Sequence, residues 1–230
     1  MIDKMKKELY IVIPAYNEEK SIDVVVNGLK KASYNKIVVV DDGSKDKTYD
    51  VAKKAGAVVL QHFMNRGQGA ALKTGIDAAV LLGADIVITF DADGQHQAKD
   101  ILKLVEPVEK GEVDVALGSR FLGGAKNMPF LRRVFLKGGA VIIWIFYGIW
   151  LTDSHNGFRA LSRKAAQLIN IRSDKMEHAS EILDEISRKK LKYKEVPVEI
   201  LYTEYSMQRG QSTWNAFNIL FKMVKNKFLR

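Results

Sequence analysis

The sequence predicts an α/β protein built on a mostly parallel sheet flanked by helices. Three observations carry this. Short apolar runs alternate with helical patterns along the first two thirds of the chain. Several of those runs end abruptly in acids or glycine-rich polar loops, as strands do when a ligand crevice lies past their carboxyl ends. The length, 230 residues, suits one large domain with a small appendage.

The elements follow in order. Leu9 to Pro14, LYIVIP, is a short apolar strand stopped by proline. After AYNEE, Ser21 is placed to cap a helix from Ile22 to about Ala32, with Ile22, Val25 and Leu29 on one face. Ile37 to Val40 is a second buried strand, ending in Asp41, Asp42, Gly43 and Ser44 before a helix through roughly Ala55. Ala57 to Leu60 is a third strand, followed by the glycine loop HFMNRGQG and a helix from about Ala70 to Leu82. The fourth strand, Ile86 to Phe90, runs into DADGQH. In extended backbone Asp91 and Asp93 project to one side, and two close carboxylates without an adjacent Lys or Arg are relieved by a hard cation such as Mg²⁺ or Mn²⁺. Gln95 adds a neutral oxygen at the same spacing. A polar turn closing a strand is the alternative for these residues.

GQGAALKT falls short of a phosphate-cradling loop because Leu72 stands where the second glycine belongs, and it is only half of a dinucleotide fingerprint. The plain reading is a helix start with flexible glycines, whose free N–H groups can still receive an anion or a polar ligand edge. Ala98 to about Glu109 is a helix, and Asp114 to Gly118 a fifth strand ending in Ser119, Arg120 and Phe121. Arg120 is read as an anion clamp at a strand exit, with a plain surface residue as the alternative. Gly138 to Leu151 carries no charge and is rich in Trp, Ile and Phe, too short for a membrane span. With Arg132, Arg133 and Lys137 before it, it reads as an interfacial helix, or else as a buried core helix. Asp153, His155, Asn156 and Arg159 cluster before a short strand; for His155 a loop residue without a role is the plain reading. Met176 to about Lys189 is a helix whose Glu177, Glu181 and Glu185 form an acidic face, expected to be solvated rather than a second metal site. Val196 to Tyr202, interrupted by Pro197, suggests an edge strand. From about Trp214 the chain forms a basic amphipathic helix with Phe217, Leu220, Phe221, Val224 and Phe228 on one face, suited to an anionic membrane surface or to docking on the domain.

A net charge of +9, from 36 basic and 27 acidic residues, favours anionic partners. Nucleic acid is excluded by the acids at the strand exits, which repel phosphates unless a metal intervenes. The absence of cysteine rules out disulfides, zinc thiolates and a cysteine nucleophile. The N-terminus lacks the apolar core of an export signal, so a cytoplasmic protein, peripheral on the inner face of the membrane, is expected.

VIPAYNEE at Val12 to Glu19, VVDDGSKDKT at Val39 to Thr48, NRGQGAALKTG at Asn65 to Gly75, DADGQH at Asp91 to His96, GSRF at Gly118 to Phe121 and DSHNGFR at Asp153 to Arg159 resemble family 2 glycosyltransferases. The similarity is greatest to the branch of dolichyl-phosphate mannose synthase and the bacterial polyprenyl-phosphate glycosyltransferases. The resemblance implies a GT-A fold, with a Rossmann-like sheet, over residues 1–212 (a nucleotide-binding half to about 97, an acceptor half from about 98), followed by the basic helix at 213–230. It implies a UDP- or GDP-linked hexose donor, Mg²⁺ or Mn²⁺, and inversion at the anomeric carbon. Pro14, Ala15, Tyr16, Glu18, Asp42, Gly69 and Asp91 would bind the nucleotide sugar, and Asp91, Asp93 and Gln95 the metal. Arg120, Arg132, Arg133, Arg159, Arg209 and Ser212 would meet the acceptor phosphate. Asp93, Asp153 and Arg120 would be the catalytic residues, Asp153 serving as general base if the acceptor is a glycan hydroxyl rather than a polyprenyl phosphate. A nucleotide-binding or membrane-docking protein without catalysis is the reading from another class. Gln68 stands where many relatives carry lysine, and His155 and Asn156 where uncharged residues are commoner. The chain stops at the basic helix where membrane-associated relatives continue into spans, which favours a peripheral protein.

Overall fold

The computed structural model describes residues 7–126, 138, 141, 144–145, 148–154 and 156–202. The first half is a run of strand and helix pairs: β1 (Leu9–Ala15), α1 (Ile22–Lys31), β2 (Ile37–Asp41), α2 (Thr48–Lys54), β3 (Val58–Gln61), α3 (Gln68–Leu81) and β4 (Ile86–Thr89). A 3₁₀ turn (Ala98–Asp100) leads into α4 (Ile101–Glu109), then β5 (Val115–Ser119), a single helical turn α5 (Arg120–Gly123) and β6 (Ala125–Lys126). The later elements are β7 (Arg159–Ser162), α6 (Arg163–Leu168), α7 (His178–Arg188), β8 (Tyr193–Pro197) and β9 (Ile200–Leu201).

Seven strands form one sheet in the order β3-β2-β1-β4-β7-β5-β8, and β6 pairs with β9 beside it. Within the sheet only β7 runs antiparallel, against both β4 and β5; the other pairs are parallel. Helices cover both faces, so alternate strand residues enter different cores. Ile11, Ile13, Ile86 and Ile88 pack with Ile22 and Leu29 of α1 and with Ile101 and Leu104 of α4. Val12, Val38, Val40 and Val87 pack with Leu72 and Ile76 of α3 and with Ile182 and Ile186 of α7. The predicted mostly parallel α/β sheet is therefore present. The edge strand lies earlier than read, as β8, and Pro197 closes it.

Two local expectations are corrected. Ser21 precedes α1 without capping it through its side chain; its hydroxyl instead donates to the Glu18 carboxylate at 2.5 Å. The acidic face of α7 is buried: Glu181 accepts the backbone N–H groups of Arg172 and Ser173, and Glu185 accepts that of Asn170 and pairs with Arg188. Carboxylates that satisfy loop N–H groups in this way are structural.

The backbone is helical at Gly138, Val141, Trp144 and Ile145, the described part of the apolar stretch. Val141, Trp144, Ile145 and Trp150 are exposed, while Ile149 and Leu151 join the core with α7. Among the described residues, no helix is long and apolar enough to cross a membrane. His155, Arg132, Arg133, Arg209, Ser212 and the C-terminal helix lie outside the described residues.

Candidate active site

The carboxyl ends of β1, β2, β3, β4 and β5 meet at one edge of the sheet, and the antiparallel β7 starts there. The loop before β7 therefore delivers Asp153 to Arg159 to the same edge as the exit of β4. Thr89 of β4 lies in register with Arg159, which is also in register with Leu117 of β5.

On the β1 to β3 side the predicted nucleotide residues line this edge, with Tyr16 at its exposed lip and Pro14, Ala15 and Glu18 buried behind it. The Glu18 N–H donates to the Thr48 hydroxyl at 2.7 Å, tying the loop after β1 to the start of α2. Asp42 is buried, and its carboxylate accepts the Arg66 N–H at 3.1 Å and the Gly67 N–H at 2.6 Å. One of its oxygens also lies 2.7 Å from His62 Nδ1. Asp42 thus fixes the glycine loop. The expectation that α3 begins with free N–H groups is overturned: Gly69 and Ala70 both donate to the Asp174 carbonyl, at 2.8 and 3.2 Å. Gly69 permits this close approach, since an added Cβ would lie 2.9 Å from the His178 Cβ. The Gly69 N–H is thus already committed within the chain.

At the exit of β4, Asp91 Oδ2 lies 2.9 Å from His96 Nε2, and Gln68 Nε2 donates to Asp91 Oδ1 at 3.3 Å. The His96 ring is set between Phe90 and Phe158. Gly157 leaves room for the carboxylate, because a Cβ there would lie 2.9 Å from both Asp91 oxygens. Burial opposes ionisation of Asp91, but His96 and then Arg159 outweigh it and hold the carboxyl below its ordinary range. Asp93 behaves oppositely: burial, then repulsion from Asp91, pushes it up to about 6. Its Oδ1 accepts the Gln95 N–H at 3.0 Å and its Oδ2 the Gln95 side-chain amide at 2.7 Å.

This donor set fits a hard divalent cation. Two carboxylates lie at one strand exit, one of them resisting ionisation because it is buried beside the other, with an amide beside it. Among the described residues no group of three His, Asp or Glu side chains is arranged to hold a metal. Part of a coordination shell would therefore come from phosphate oxygens and water, as Mg²⁺ sites commonly do.

On the β5 side Arg120 is buried. Its Nε donates to Asp153 Oδ2 at 2.6 Å, its backbone N–H to the same oxygen at 3.0 Å, and a terminal nitrogen to the Tyr202 hydroxyl at 2.7 Å. Glu195 anchors the chain leading to Asp153 by accepting the N–H groups of Thr152 and Asp153. Arg159, read as an acceptor-phosphate residue, is only 2 % exposed and lies within the sheet. Burial lowers its pKa to about 10 against the opposing pull of Asp91 and Asp153.

Sequence reasoning passed over His178, which is buried at the start of α7 and held by a 2.8 Å bond between Nδ1 and the Lys175 carbonyl. Burial and then Arg159 push it down to about 4, so it is neutral, with Nδ1 as the donor. Its only sequence signal was a histidine on a helix whose acids looked solvated.

The family model described as glycosyl transferase family 2 matches residues 10–169. The UDP-N-acetylglucosamine–dolichyl-phosphate N-acetylglucosaminyltransferase of Methanococcus voltae is 38% identical over 99% of this chain and 98% of its own. The dolichol-phosphate mannosyltransferase of Pyrococcus furiosus is 31% identical over 88% of this chain and 58% of its own. Among solved structures, the glucosyl-3-phosphoglycerate synthase of Mycobacterium tuberculosis in complex with Mn²⁺ and UDP-glucose aligns with a TM-score of 0.74 at 19% identity, over 98% of this chain and 80% of that one. That likeness concerns the fold and agrees with the GT-A architecture read from the motifs. The match over residues 10–169 spans every strand exit from β1 to β5 and the start of β7, and on it the chain is a glycosyltransferase and belongs to glycosyl transferase family 2.

Proposed function

We propose that the chain transfers a hexose, with inversion, from a UDP- or GDP-linked donor to a polyprenyl phosphate at a membrane surface. The donor lies along the exits of β1 to β4, with Tyr16 and Glu18 toward the nucleoside. Asp91, Asp93 and Gln95 would hold Mg²⁺ or Mn²⁺, Gln95 turning its amide oxygen inward. When bound, the metal supplies Lewis-acid stabilisation of the charge that grows on the leaving diphosphate. His96 keeps Asp91 ionised and oriented for this task, and Arg120 lends positive charge to the acceptor side.

The observation that carries the acceptor reading is the commitment of Asp153. Its side chain is fully buried, and Oδ2 is held by both the Nε and the backbone N–H of Arg120. A carboxylate oxygen tied to a guanidinium and a backbone N–H is not free to turn toward an acceptor hydroxyl, whereas a lipid phosphate is already anionic near neutral pH and needs no base. The exposed Trp144, Ile145 and Trp150 precede Asp153 in the chain and suit the headgroup boundary of a bilayer. Both named relatives carry dolichyl or dolichol phosphate in their names, which supports the same acceptor class. Within this reading residues 1–212 form the catalytic domain, residues 213–230 are a basic membrane-facing segment, and the protein works peripherally on the inner membrane face.

The test is transfer of labelled sugar from a panel of UDP- and GDP-hexoses to a short polyprenyl phosphate with Mg²⁺ or Mn²⁺, read by organic extraction. A lipid-soluble product that disappears in Asp93→Ala is expected. Nucleotide binding without any lipid product would refute the lipid-phosphate acceptor and point to a glycan hydroxyl.

A further inference from the structure

β9 runs between the two halves of the site. On one side it meets the turn after β4: the Leu201 N–H donates to the Gln95 carbonyl at 3.1 Å, and Ile200 lies opposite His96 in an antiparallel bridge. On the other it pairs with β6, where Ala125 and Lys126 are in register with Ile200 and Leu201, and the Ile200 N–H donates to the Gly124 carbonyl at 3.2 Å. The segment entering β9 is seated as closely on the acceptor side. The Val198 N–H donates to the Ser119 carbonyl at 3.1 Å, and a Cβ added at Gly123 would stand 2.3 Å from the Val198 nitrogen. Tyr202, the residue after β9, is therefore placed by backbone contacts to both halves. Its ring is buried in the core that holds Phe90 and Phe158, and its hydroxyl accepts from a terminal nitrogen of Arg120 at 2.7 Å. Asp153 takes the Nε edge of the same guanidinium at 2.6 Å. A guanidinium is a planar fork, so two acceptors at different points of it fix its plane, whereas one alone leaves it able to swing about that bond.

We propose that Tyr202 is a positioning residue for the acceptor: its hydroxyl fixes the plane of the Arg120 guanidinium, and β9 sets that plane relative to the turn carrying Asp93 and Gln95. This rests on the acceptor-phosphate reading of the proposed function and deepens it. An arginine recognises a phosphate through the direction of its N–H donors, which a point charge lacks. Tyr202→Phe keeps the buried ring, the charge of Arg120 and every backbone bond of β9. The donor turn is then undisturbed, while the acceptor phosphate meets a guanidinium held at one point only.

The test uses the full chain and the variants Tyr202→Phe, Arg120→Lys and their double. Calorimetry measures binding of farnesyl phosphate in the presence of UDP or GDP with Mn²⁺, and separately binding of each nucleotide with Mn²⁺. Tyr202→Phe is expected to weaken farnesyl phosphate binding about tenfold and to leave nucleotide affinity within about twofold of the parent. In Arg120→Lys, which keeps the charge but has no fork, the same change should add less than about twofold. The NMR signal of the Arg120 Nε–H, assigned by its loss in Arg120→Lys, should exchange with solvent about tenfold faster in Tyr202→Phe. Equal losses in the arginine and lysine backgrounds would show that Tyr202 acts without Arg120 and overturn the proposal. So would a parallel fall in nucleotide affinity, the mark of a merely structural tyrosine, or an Nε–H signal that Tyr202→Phe leaves unchanged. If the parent binds no farnesyl phosphate, the acceptor reading itself fails, while the Nε–H signal still decides whether Tyr202 holds Arg120.

Discussion

Asp93 sits in a position that works against the fold. Burial and the neighbouring charge of Asp91 raise its carboxyl from an ordinary 3.8 to about 6. The folded chain therefore keeps a proton that the unfolded chain releases between about pH 4 and pH 6, and stability falls as pH rises through that window. A tenfold change in proton affinity corresponds to about 1.4 kcal/mol, so ionised Asp93 costs the ligand-free fold about 3 kcal/mol at pH 7. Asp93→Asn removes the charge and keeps a side chain of the same shape. Allowing for the hydrogen bonds from Gln95 that must rearrange, it is expected to stabilise the chain by about 1–3 kcal/mol, or about 3–10 °C in Tm. Thermal unfolding with EDTA present, at pH 7 and at pH 4, checks this. The gain should be present at pH 7 and nearly absent at pH 4, where the native carboxyl is already neutral. A variant less stable than the parent at pH 7, or a gain independent of pH, would refute the reasoning. The same substitution should abolish sugar transfer, as expected where a strained group is kept for function.

Three further outcomes follow from the packing. Arg120→Met strands the buried Asp153 carboxylate and should cost about 3–5 kcal/mol by denaturant unfolding, with part of the loss recovered in Arg120→Met/Asp153→Asn. Gly69→Ala drives a methyl toward His178 and the Ser173 carbonyl and should destabilise by about 1–3 kcal/mol, whereas Gly28→Ala in α1, where an added Cβ meets nothing within 4 Å, should gain about 0.5–1 kcal/mol. Trp150→Ala, at an exposed ring packed edge-on against Trp144, should lower partition onto anionic vesicles about tenfold in a sedimentation assay while leaving Tm nearly unchanged.

The strand exits were legible because each combines an apolar run with an abrupt change to acids and glycine, a contrast visible within a few residues. The pairing of Asp91 with Asp93 rests on the two-residue period of extended backbone, whereas β4 ends at Thr89 and residues 92–94 form a turn. Features that depend on distant backbone were not legible. Glu181 and Glu185 look the same in sequence whether they face water or the N–H groups of Asn170 to Ser173, and only the fold of that loop decides. The start of α3 looked open because nothing near Gly69 announces the Asp174 carbonyl that closes it. The burial of Arg159 was not legible either, since a four-residue strand, RALS, has too little periodicity to reveal that it is central.

That short strand explains how donor and acceptor residues come to share a site. In a fully parallel sheet, the segment entering the strand beside β4 would arrive at the opposite edge, and Asp153 would lie a strand length away from Asp91. Running β7 antiparallel places its beginning against the ends of β4 and β5, with Arg159 across from Thr89 on one side and Leu117 on the other. Phe158, one residue earlier, packs against Phe90 and against the His96 ring that holds Asp91. Gly157, one residue earlier again, admits the Asp91 carboxylate. Three consecutive residues of the acceptor loop therefore shape the donor carboxylate, two by packing and one by charge. A substitution that tilts the start of β7, such as Gly157→Ala, must act on both halves together: the added Cβ displaces Asp91 and, through the backbone of Phe158, shifts Arg159. Nucleotide binding and acceptor use should fall in parallel for that variant. An acceptor defect with unchanged nucleotide affinity would show that the two halves are joined elsewhere.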